Sequence, residues 1–378
     1  MPEIWLPYGT VEVPIKIKVE NLGKIHTPNT KPLDENSIKS RIKELHLKGN
    51  TLIFVSEAEE ASASLVKAVI NAFSEDGKTV LITVGVERSL HPWVKKVCEG
   101  LDVNIRVFTK TEAIEAEVQQ YDIKLFVSKV NFNPLFGFSG GPITLLKILR
   151  PNFIAEAFKR TQNNEPRPGE ETEASFYAYS EAERLQIVGL EYISINDMLV
   201  DIAVGDLVRA HKQISQTLLD LCKIGLSAPP EAIIASAGSR KSASTLASAL
   251  DTLWNLTKPL EENSIVVFFA ECIDGLGSEA LRLAATRDIE PYLSKGNYID
   301  GLESIIYLRW LSKKVKPALL STLPKYYVTR LGFDYLKSAS DAQPYILKQR
   351  GGKVKIHIFP LAEATLLTRS ESELLSRQ

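Results

Sequence analysis

A glycine-rich segment from residue 131 to residue 144 has the residue types of an anion site. It follows a strand-like run and leads into a segment with apolar residues at helical spacing. Ser139, Gly140 and Gly141 lie at the junction, preceded by Asn133, and glycine lets the backbone approach a ligand closely. Because free N–H groups at the start of a helix bind anions, we predict that these four residues contact a small anion. The alternative is a tight turn that serves only packing.

A second polar segment, residues 236–242, reads Ser-Ala-Gly-Ser-Arg-Lys-Ser and also lies between a predicted strand and a predicted helix. Its two cations, Arg240 and Lys241, suit a carboxylate or a phosphate group. We therefore predict that both bind an anion. The alternative is that the serines and the glycine cap the helix while both cations are solvated.

Carboxylates follow two further predicted strands. Glu87 precedes Arg88, and Glu271 lies close to Asp274 in a turn with two glycines. Carboxyl groups at such positions can act as general acids and bases, so we predict catalytic roles for Glu87 and Glu271 and an anion-binding role for Arg88. The alternatives are a surface ion pair for Glu87 and helix capping for Glu271. No recognised metal-ligand spacing is present, and we predict no metal site.

The elements that must position these residues alternate between strands and helices. Continuous apolar runs at residues 51–55 and 265–269 predict buried parallel strands. Further strands are predicted at residues 193–202 and 325–329. Strands that alternate with helices in this way indicate βαβ units and mostly parallel sheets.

A Pro-Pro pair within residues 225–230 marks the best domain boundary. We predict two α/β domains, residues 1–224 and 225–378, with the last residues of the second domain packing back on the first. Ligands bind at the carboxyl ends of strands in open α/β sheets. The predicted site is therefore a cleft between the two domains.

Composition excludes several function classes. The chain has 378 residues, and its 44% hydrophobic and 24% charged content is that of a soluble globular protein. A net charge of -1 gives no basic surface for nucleic acid or a membrane, and neither a signal peptide nor a membrane-spanning run is evident. The three scattered cysteines favour a cytoplasmic location. Scarce Cys and Met are typical of thermophilic proteins. The oligomeric state is left open.

Four segments carry a family resemblance: residues 6–9, 137–141, 203–211 and 270–278. They read Leu-Pro-Tyr-Gly, Gly-Phe-Ser-Gly-Gly, a Gly-Asp…Ala-His segment and a Glu-Cys-x-Asp-Gly-x-Gly-Ser turn. In this order they resemble motifs of the nickel-dependent lactate racemases, or LarA-like proteins, once a domain of unknown function. The resemblance implies a two-domain α/β scaffold for 2-hydroxy acid racemisation or epimerisation. It also implies a nickel-pincer cofactor tethered to a lysine, with histidines as metal ligand, acid and base.

The residues that would carry this chemistry differ. The lysine that would hold the cofactor is replaced by Ile143, and Asn133 and Glu87 stand where the family has histidines. The Asp-x-Thr-Arg-Pro motif is replaced by residues 56–60, and the Tyr-Gln-Ala-x-Lys segment appears as residues 247–251. We predict that no nickel-pincer cofactor is bound.

The predicted function is therefore that of a lactate racemase-like protein of unknown activity on a small anionic ligand, without nucleic-acid or membrane partners. If it is an enzyme, an isomerase acting on a small hydroxy acid is expected. The alternative is a non-catalytic member that binds a small ligand or a protein, and an active racemase with altered ligands is a third option. His211, within a helical pattern, is predicted to be a packed or surface residue. If Glu87, Arg88, Asn133, Lys241 and Glu271 converge on one concave pocket that contains a carboxyl group of shifted pKa, the enzyme is favoured. A cleft filled by hydrophobic side chains would favour the binding protein.

Overall fold

The computed structural model describes residues 2–45, 49–75, 82–108, 116, 118–150, 152–161, 165–295 and 298–370. Two six-stranded sheets organise this part of the chain. None of the helices in these ranges is both long and apolar enough to cross a membrane.

The first sheet is built from residues 51–206. Its strands are β4 (Thr51–Val55), β5 (Ile82–Glu87), β6 (Asn104–Phe108), β7 (Ile123–Lys129), β10 (Val188–Ile195) and β11 (Met198–Asp206). They lie in the order β11–β10–β7–β4–β5–β6, and only the β10–β11 hairpin is antiparallel. The short strands β8 (Phe132–Asn133) and β9 (Gly137–Phe138) form a separate pair in the glycine-rich segment.

Helices cover both faces of this sheet. One face packs on α1 (Glu35–Lys43), α2 (Glu60–Glu75) and α3 (His91–Val97). The other packs on α4 (Gly141–Leu149), α5 (Phe153–Arg160), α6 (Glu173–Glu183) and α7 (Leu207–Cys222). Burial on both faces explains why every residue of the apolar run Thr51–Val55 is buried.

The second sheet is entirely parallel. Its strands are β3 (Leu22–Ile25), β13 (Ala232–Ser236), β14 (Ile265–Phe269), β15 (Lys316–Leu320), β16 (Asp334–Tyr335) and β17 (Ile356–Phe359), in the order β16–β15–β14–β13–β17–β3. One face packs on α8 (Leu246–Trp254), α9 (Glu279–Thr286), α11 (Leu302–Lys314) and α12 (Lys325–Arg330). The other packs on α13 (Ala342–Arg350) and the hairpin of β1 (Glu3–Tyr8) and β2 (Val11–Lys16). Helix α10 (Glu290–Lys295) follows α9.

Both ends of the chain cross between the sheets. The N-terminal residues 3–25 lie with the second sheet, because β3 pairs with β17 and the β1–β2 hairpin packs on this sheet. Strand β12 (Lys223–Leu226) pairs with β18 (Leu366–Arg369), and Leu366 packs against Phe132 of the glycine-rich segment. The division into residues 1–224 and 225–378 stays a prediction. The strand pairing shows, in addition, that segments near both ends of the described chain contact residues on the other side of this boundary.

A histidine pair fastens the N-terminal strand to the second sheet. His26 Nε2 lies 2.9 Å from His357 Nδ1 on β17. Burial, followed by the charges of His357 and Lys24, lowers the pKa of His26 from 6.5 to about 4. Burial and then Lys24 also lower the pKa of His357. This hydrogen bond requires at least one neutral ring.

We expect this pair to make folding stability sensitive to pH. Both histidines have lower pKa values in the folded chain than in the unfolded chain, so the unfolded state takes up protons first as the pH falls below about 6.5. The stability that the neutral pair contributes is therefore present above pH 6.5 and lost towards pH 4. We expect the free energy of unfolding, measured with urea, to decrease less between pH 7.5 and pH 5 for His357→Gln than for the wild type. His91→Gln, on α3, is the control and should leave the decrease unchanged; equal decreases in all three proteins would contradict this prediction.

Candidate functional site

A cleft of about 1100 Å³ lies where the carboxyl ends of the two sheets face each other. In the first sheet, β5 and β6 extend to one side of β4, while β7 lies on its other side. In the second, β14, β15 and β16 extend to one side of β13, while β17 lies on its other side. Such reversals of strand order open a crevice at the carboxyl ends of the strands. The loops after β4, β7, β13 and β17 all line the cleft.

A buried ion pair forms part of the wall supplied by the first sheet. Lys129, at the end of β7, is 9% exposed, and its Nζ lies 3.4 Å from Glu59 Oε2. Glu59 Oε1 also accepts a hydrogen bond of 2.9 Å from Ser194. Burial would lower the pKa of Lys129, but the nearby carboxylates of Glu59, Glu363 and Glu57 outweigh it and raise the pKa overall. Lys129 therefore stays charged and is compensated within the protein.

The serine loop, residues 236–242, already holds a carboxylate of the chain itself. Glu363 Oε1 accepts a hydrogen bond of 3.0 Å from the backbone N–H of Ser239, and Oε2 accepts one of 2.7 Å from its hydroxyl. Ser242 also donates its hydroxyl to Glu363 Oε2. Lys241 pairs with Glu57 of the first sheet. The carboxylate in this loop is that of Glu363, and its donors are Ser239 and Ser242. The anion-binding roles of Arg240 and Lys241 stay predictions.

The glycine-rich segment, by contrast, has no free N–H groups at the start of α4. Gly140 N donates to Thr144 Oγ1 at 3.2 Å and Gly141 N to Ser128 Oγ at 2.9 Å. Ile143 N and Thr144 N both donate to Gly140 O. The predicted anion contact through Gly140 and Gly141 is therefore not available here, because these donors already have acceptors within the protein. The packing interpretation of this turn accounts for its geometry.

A buried carboxylate lies beneath the same turn. Glu191 and His211 are both fully buried, and Glu191 Oε2 lies 2.8 Å from His211 Nδ1. A Cβ on Gly141 would lie 1.8 Å from Glu191 Oε1. Burial raises the pKa of Glu191, and His211 opposes that shift. His211 is thus a packed residue, as its helical context predicts, and it pairs with a carboxylate that the sequence did not indicate.

Two helices bring an acid and a base into the cleft from opposite sheets. Thr144 and Lys147 line it from α4, and Ser248, Asp251 and Thr252 line it from α8. These spacings of three or four residues place each set on one face of its helix. The pKa of Asp251 is raised to about 7, mainly by burial. This value includes two smaller effects: the charge of Lys147 lowers the pKa and that of Glu303 raises it. A carboxyl group that titrates near neutral pH can both accept and donate a proton.

Reasoning from strand ends did not find Asp251, although the sequence carries a signal for it. The polar residues Ser248, Asp251, Thr252 and Asn255 recur at helical spacing between buried apolar residues. A polar stripe on such a helix indicates a face turned to a cavity or to solvent. The family resemblance assigns Asp251 to the lysine position of the Tyr-Gln-Ala-x-Lys segment.

The other predicted site residues divide into two groups. Asn133, Ser139, Arg240 and Lys241 line the cleft, although Asn133 Oδ1 is occupied by the N–H groups of the following turn at 3.0 and 2.9 Å. Arg88, in an exposed 3-10 helix after β5, and Glu271, after β14, do not line it. The prediction for Glu87 concerns a side chain outside the described part of the structure.

The position of Arg88 and Glu271 has a topological reason. Their strands, β5 and β14, lie one place away from the reversal of strand order in each sheet, so their loops open beside the cleft. Glu271 lies behind the β1–β2 turn, where a Cβ on Gly9 would meet its Oε2 at 1.7 Å. The catalytic roles predicted for Glu87 and Glu271 stay predictions.

No family model matches the chain, and no curated protein is detectably similar to it. The fold, however, is similar to that of the lactate racemase apoprotein from Thermoanaerobacterium thermosaccharolyticum, with a TM-score of 0.80 at 14% sequence identity. The similarity covers 97% of this chain and 100% of that one. The predicted fold class, a lactate racemase-like α/β protein with mostly parallel sheets, is thereby confirmed.

The residues present do not fit a tethered nickel-pincer cofactor. Ile143, at the position of the tethering lysine, is fully buried and packs with the helices that cover the first sheet. Among the described residues, no histidine lines the cleft, and no group of three or more His, Cys, Asp or Glu side chains could hold a metal ion.

Proposed function

We propose that the cleft is the active site of a proton-transfer isomerase that acts on a small hydroxy or oxo acid. The chain would then be a diverged protein on the lactate racemase scaffold, located in the cytoplasm. The observation that carries this proposal is the placement of Asp251 and Lys147 on facing helices of one polar cleft. A carboxyl group of near-neutral pKa in a cleft is typical of a catalytic acid or base.

The charges in the cleft indicate how such a ligand would bind. More carboxyl than cationic side chains line the cleft, and the cations Lys129 and Lys241 are paired with glutamates. Within the described ranges, Lys147 and Arg240 form no ion pair. They are therefore the cations available to a ligand. A ligand with one acidic group fits this balance better than a polyanion does.

The proposed reaction needs no oxidant or reductant. The carboxylate of Asp251 takes a proton from a carbon next to a carbonyl group, and the electron pair of the broken C–H bond moves to the carbonyl oxygen. The ammonium group of Lys147 stabilises the charge on that oxygen. Return of the proton to the same face would regenerate the starting acid, so the enolate turns in the cleft and Asp251 delivers the proton to the opposite face of the same carbon. This gives the mirror-image isomer and restores both side chains.

A second candidate, a non-catalytic member that binds a small ligand, is favoured by the serine loop. That loop is filled by Glu363, and a filled loop is compatible with a cleft that no longer turns over a substrate. Ligand binding without proton exchange would support this alternative.

Solvent exchange tests the proposed function directly. We expect that incubation in D₂O with hydroxy and oxo acids of three to six carbons will introduce deuterium at the carbon next to the carbonyl of at least one compound, as read by proton NMR. Lys147→Met should weaken binding of that compound, measured by calorimetry, by at least about tenfold, because a charge-assisted contact is lost. Lys96→Met, on the exposed surface of α3, is the matched control and should bind normally. Isomerisation without deuterium uptake would overturn the proton-transfer route.

A further inference from the structure

The contacts of Glu363 form a complete seat for a carboxylate. One oxygen receives the Ser239 N–H at 3.0 Å, and the other receives the hydroxyls of Ser239, at 2.7 Å, and Ser242. The two hydroxyls also lie within 3.2 Å of each other. Backbone and hydroxyl donors that converge on both oxygens are the arrangement expected of a binding site for this group.

The backbone of the serine loop is shaped around this carboxylate. Gly238 has a φ of 104°, and a Cβ there would lie 2.9 Å from the Glu363 side chain. Its N–H is held by the Ser236 hydroxyl at 3.2 Å. Arg240 follows Ser239 in the chain. It lines the cleft and forms no ion pair within the described ranges. The residue that follows Ser239 therefore supplies a cation to the same cleft.

We propose that the serine loop is the carboxylate-binding site for the ligand and that Glu363 occupies it as an internal ligand, which the carboxylate of an incoming acid displaces. This inference rests on the proposed function and adds where the acidic group of the substrate binds. Glu363 follows β17 in a short 3-10 helix, Ala362–Ala364, and it belongs to the cleft wall itself.

The displaced side chain has a cation to receive it. The charge of Glu363 already contributes to raising the pKa of Lys129, so the two groups interact across the cleft. Lys129 is held by Glu59 at 3.4 Å, and an ammonium group has three donors. In this proposal Lys129 is the cation that compensates the charge of the displaced Glu363, which reduces the cost of leaving the serine hydroxyls.

Acetate binding to variants of Glu363 tests this proposal. A tethered carboxylate competes with a free one at an effective concentration of millimolar or more. We therefore expect Glu363→Ala to bind ¹³C-labelled acetate at least about tenfold more tightly than the wild type in an NMR titration at pH 7. Adding Ser239→Ala to Glu363→Ala should remove this gain, because the seat loses its hydroxyl donor. Glu12→Ala is the control, since it removes a negative charge from the cleft but leaves the seat filled, and should change affinity by less than about threefold.

The outcomes separate this inference from the proposed function. If folded Glu363→Ala binds acetate no more tightly than the wild type, Glu363 is a structural residue and the inference is wrong. If Glu363→Ala does not fold, Glu363→Gln decides by the same criterion, because it keeps the volume but loses the charge. Acetate binding in the variant with no deuterium exchange by any acid would leave the seat standing and remove the proposed reaction. If the wild type exchanges deuterium but the Glu363 variants bind acetate no more tightly, the proposed reaction stands and the carboxylate site in the serine loop is wrong.

Discussion

Asp251→Asn should lower the rate of solvent-deuterium exchange by at least about 100-fold and leave ligand binding within about threefold of the wild type. A positioned general acid or base contributes about 10² to 10⁴ in rate, and asparagine keeps the shape of the side chain but cannot carry the proton. The measurement is the exchange rate at saturating ligand, with affinity from calorimetry. Asp197→Asn, which changes another carboxyl group of the cleft in the β10–β11 turn, is the matched control and should retain most of the rate.

The pH dependence of exchange gives this prediction a second readout. Since the active form is the carboxylate and the pKa of Asp251 is about 7, the rate should rise through pH 7 to a plateau. Lys147 lowers this pKa and Glu303 raises it. Lys147→Met should therefore move the midpoint to higher pH, and Glu303→Gln should move it to lower pH. If neither Lys147→Met nor Glu303→Gln moves the midpoint of the pH–rate profile, another group transfers the proton. The same conclusion follows if Asp251→Asn exchanges deuterium at the wild-type rate.

Local patterns predicted most of the strands but not their order. The apolar run at residues 51–55 is β4 and the run at residues 265–269 is β14, because strands buried on both faces need continuous apolar residues. The reversals of strand order depend on long-range pairing, such as that of β13 with β17. The sequence does not give this order, so it cannot distinguish one loop after a strand from another as the site. Arg88 and Glu271 were therefore predicted as site residues together with residues that do line the cleft.

Two strand predictions were wrong for local reasons. Residues 193–202 were predicted as one strand, but Asn196 and Asp197, with φ of 51° and 60°, form the turn of the β10–β11 hairpin. Asn and Asp are residues that accept positive φ in such turns. Residues 325–329 were predicted as a strand, but they form α12, although Tyr, Val and Thr are common in strands. The buried contact of Val328 with the second sheet's core outweighed this β propensity.

The position of the candidate site was easier to predict than its contacts. The serine loop follows a strand and lines the cleft, as a loop at a strand end can. The carboxylate in it, however, belongs to Glu363 and is held by Ser239 and Ser242, and the anion-binding roles of Arg240 and Lys241 stay predictions. The role of the glycines in the glycine-rich segment could not be decided from residue type, because glycine allows both the close approach of a ligand and close packing within the protein. The deciding partner, Glu191, lies fifty residues further along the chain. Its contact with Gly141 follows from tertiary packing.

Gly141→Ala should destabilise the protein by about 3 kcal/mol or more, since the added methyl group overpacks a buried site. The new Cβ would lie 1.8 Å from Glu191 Oε1, and Glu191 is fully buried and held by His211 at 2.8 Å. Urea unfolding measures the loss. Gly100→Ala is the matched control, because its φ of 79° is also positive but nothing lies within 4 Å of its Cβ; it should cost only about 1 to 2 kcal/mol, the cost of the left-handed conformation.

The double variant Gly141→Ala with Glu191→Ala distinguishes the clash from backbone strain. Removing the Glu191 side chain frees the space that the new methyl group needs, although it leaves His211 without its partner. We therefore expect the double variant to lose less stability than the sum of the two single losses, since contacting residues are not additive. Additive losses, or equal losses for Gly141→Ala and Gly100→Ala, would mean that Glu191 does not limit the space beneath the loop. The glycine would then be required for its backbone conformation alone.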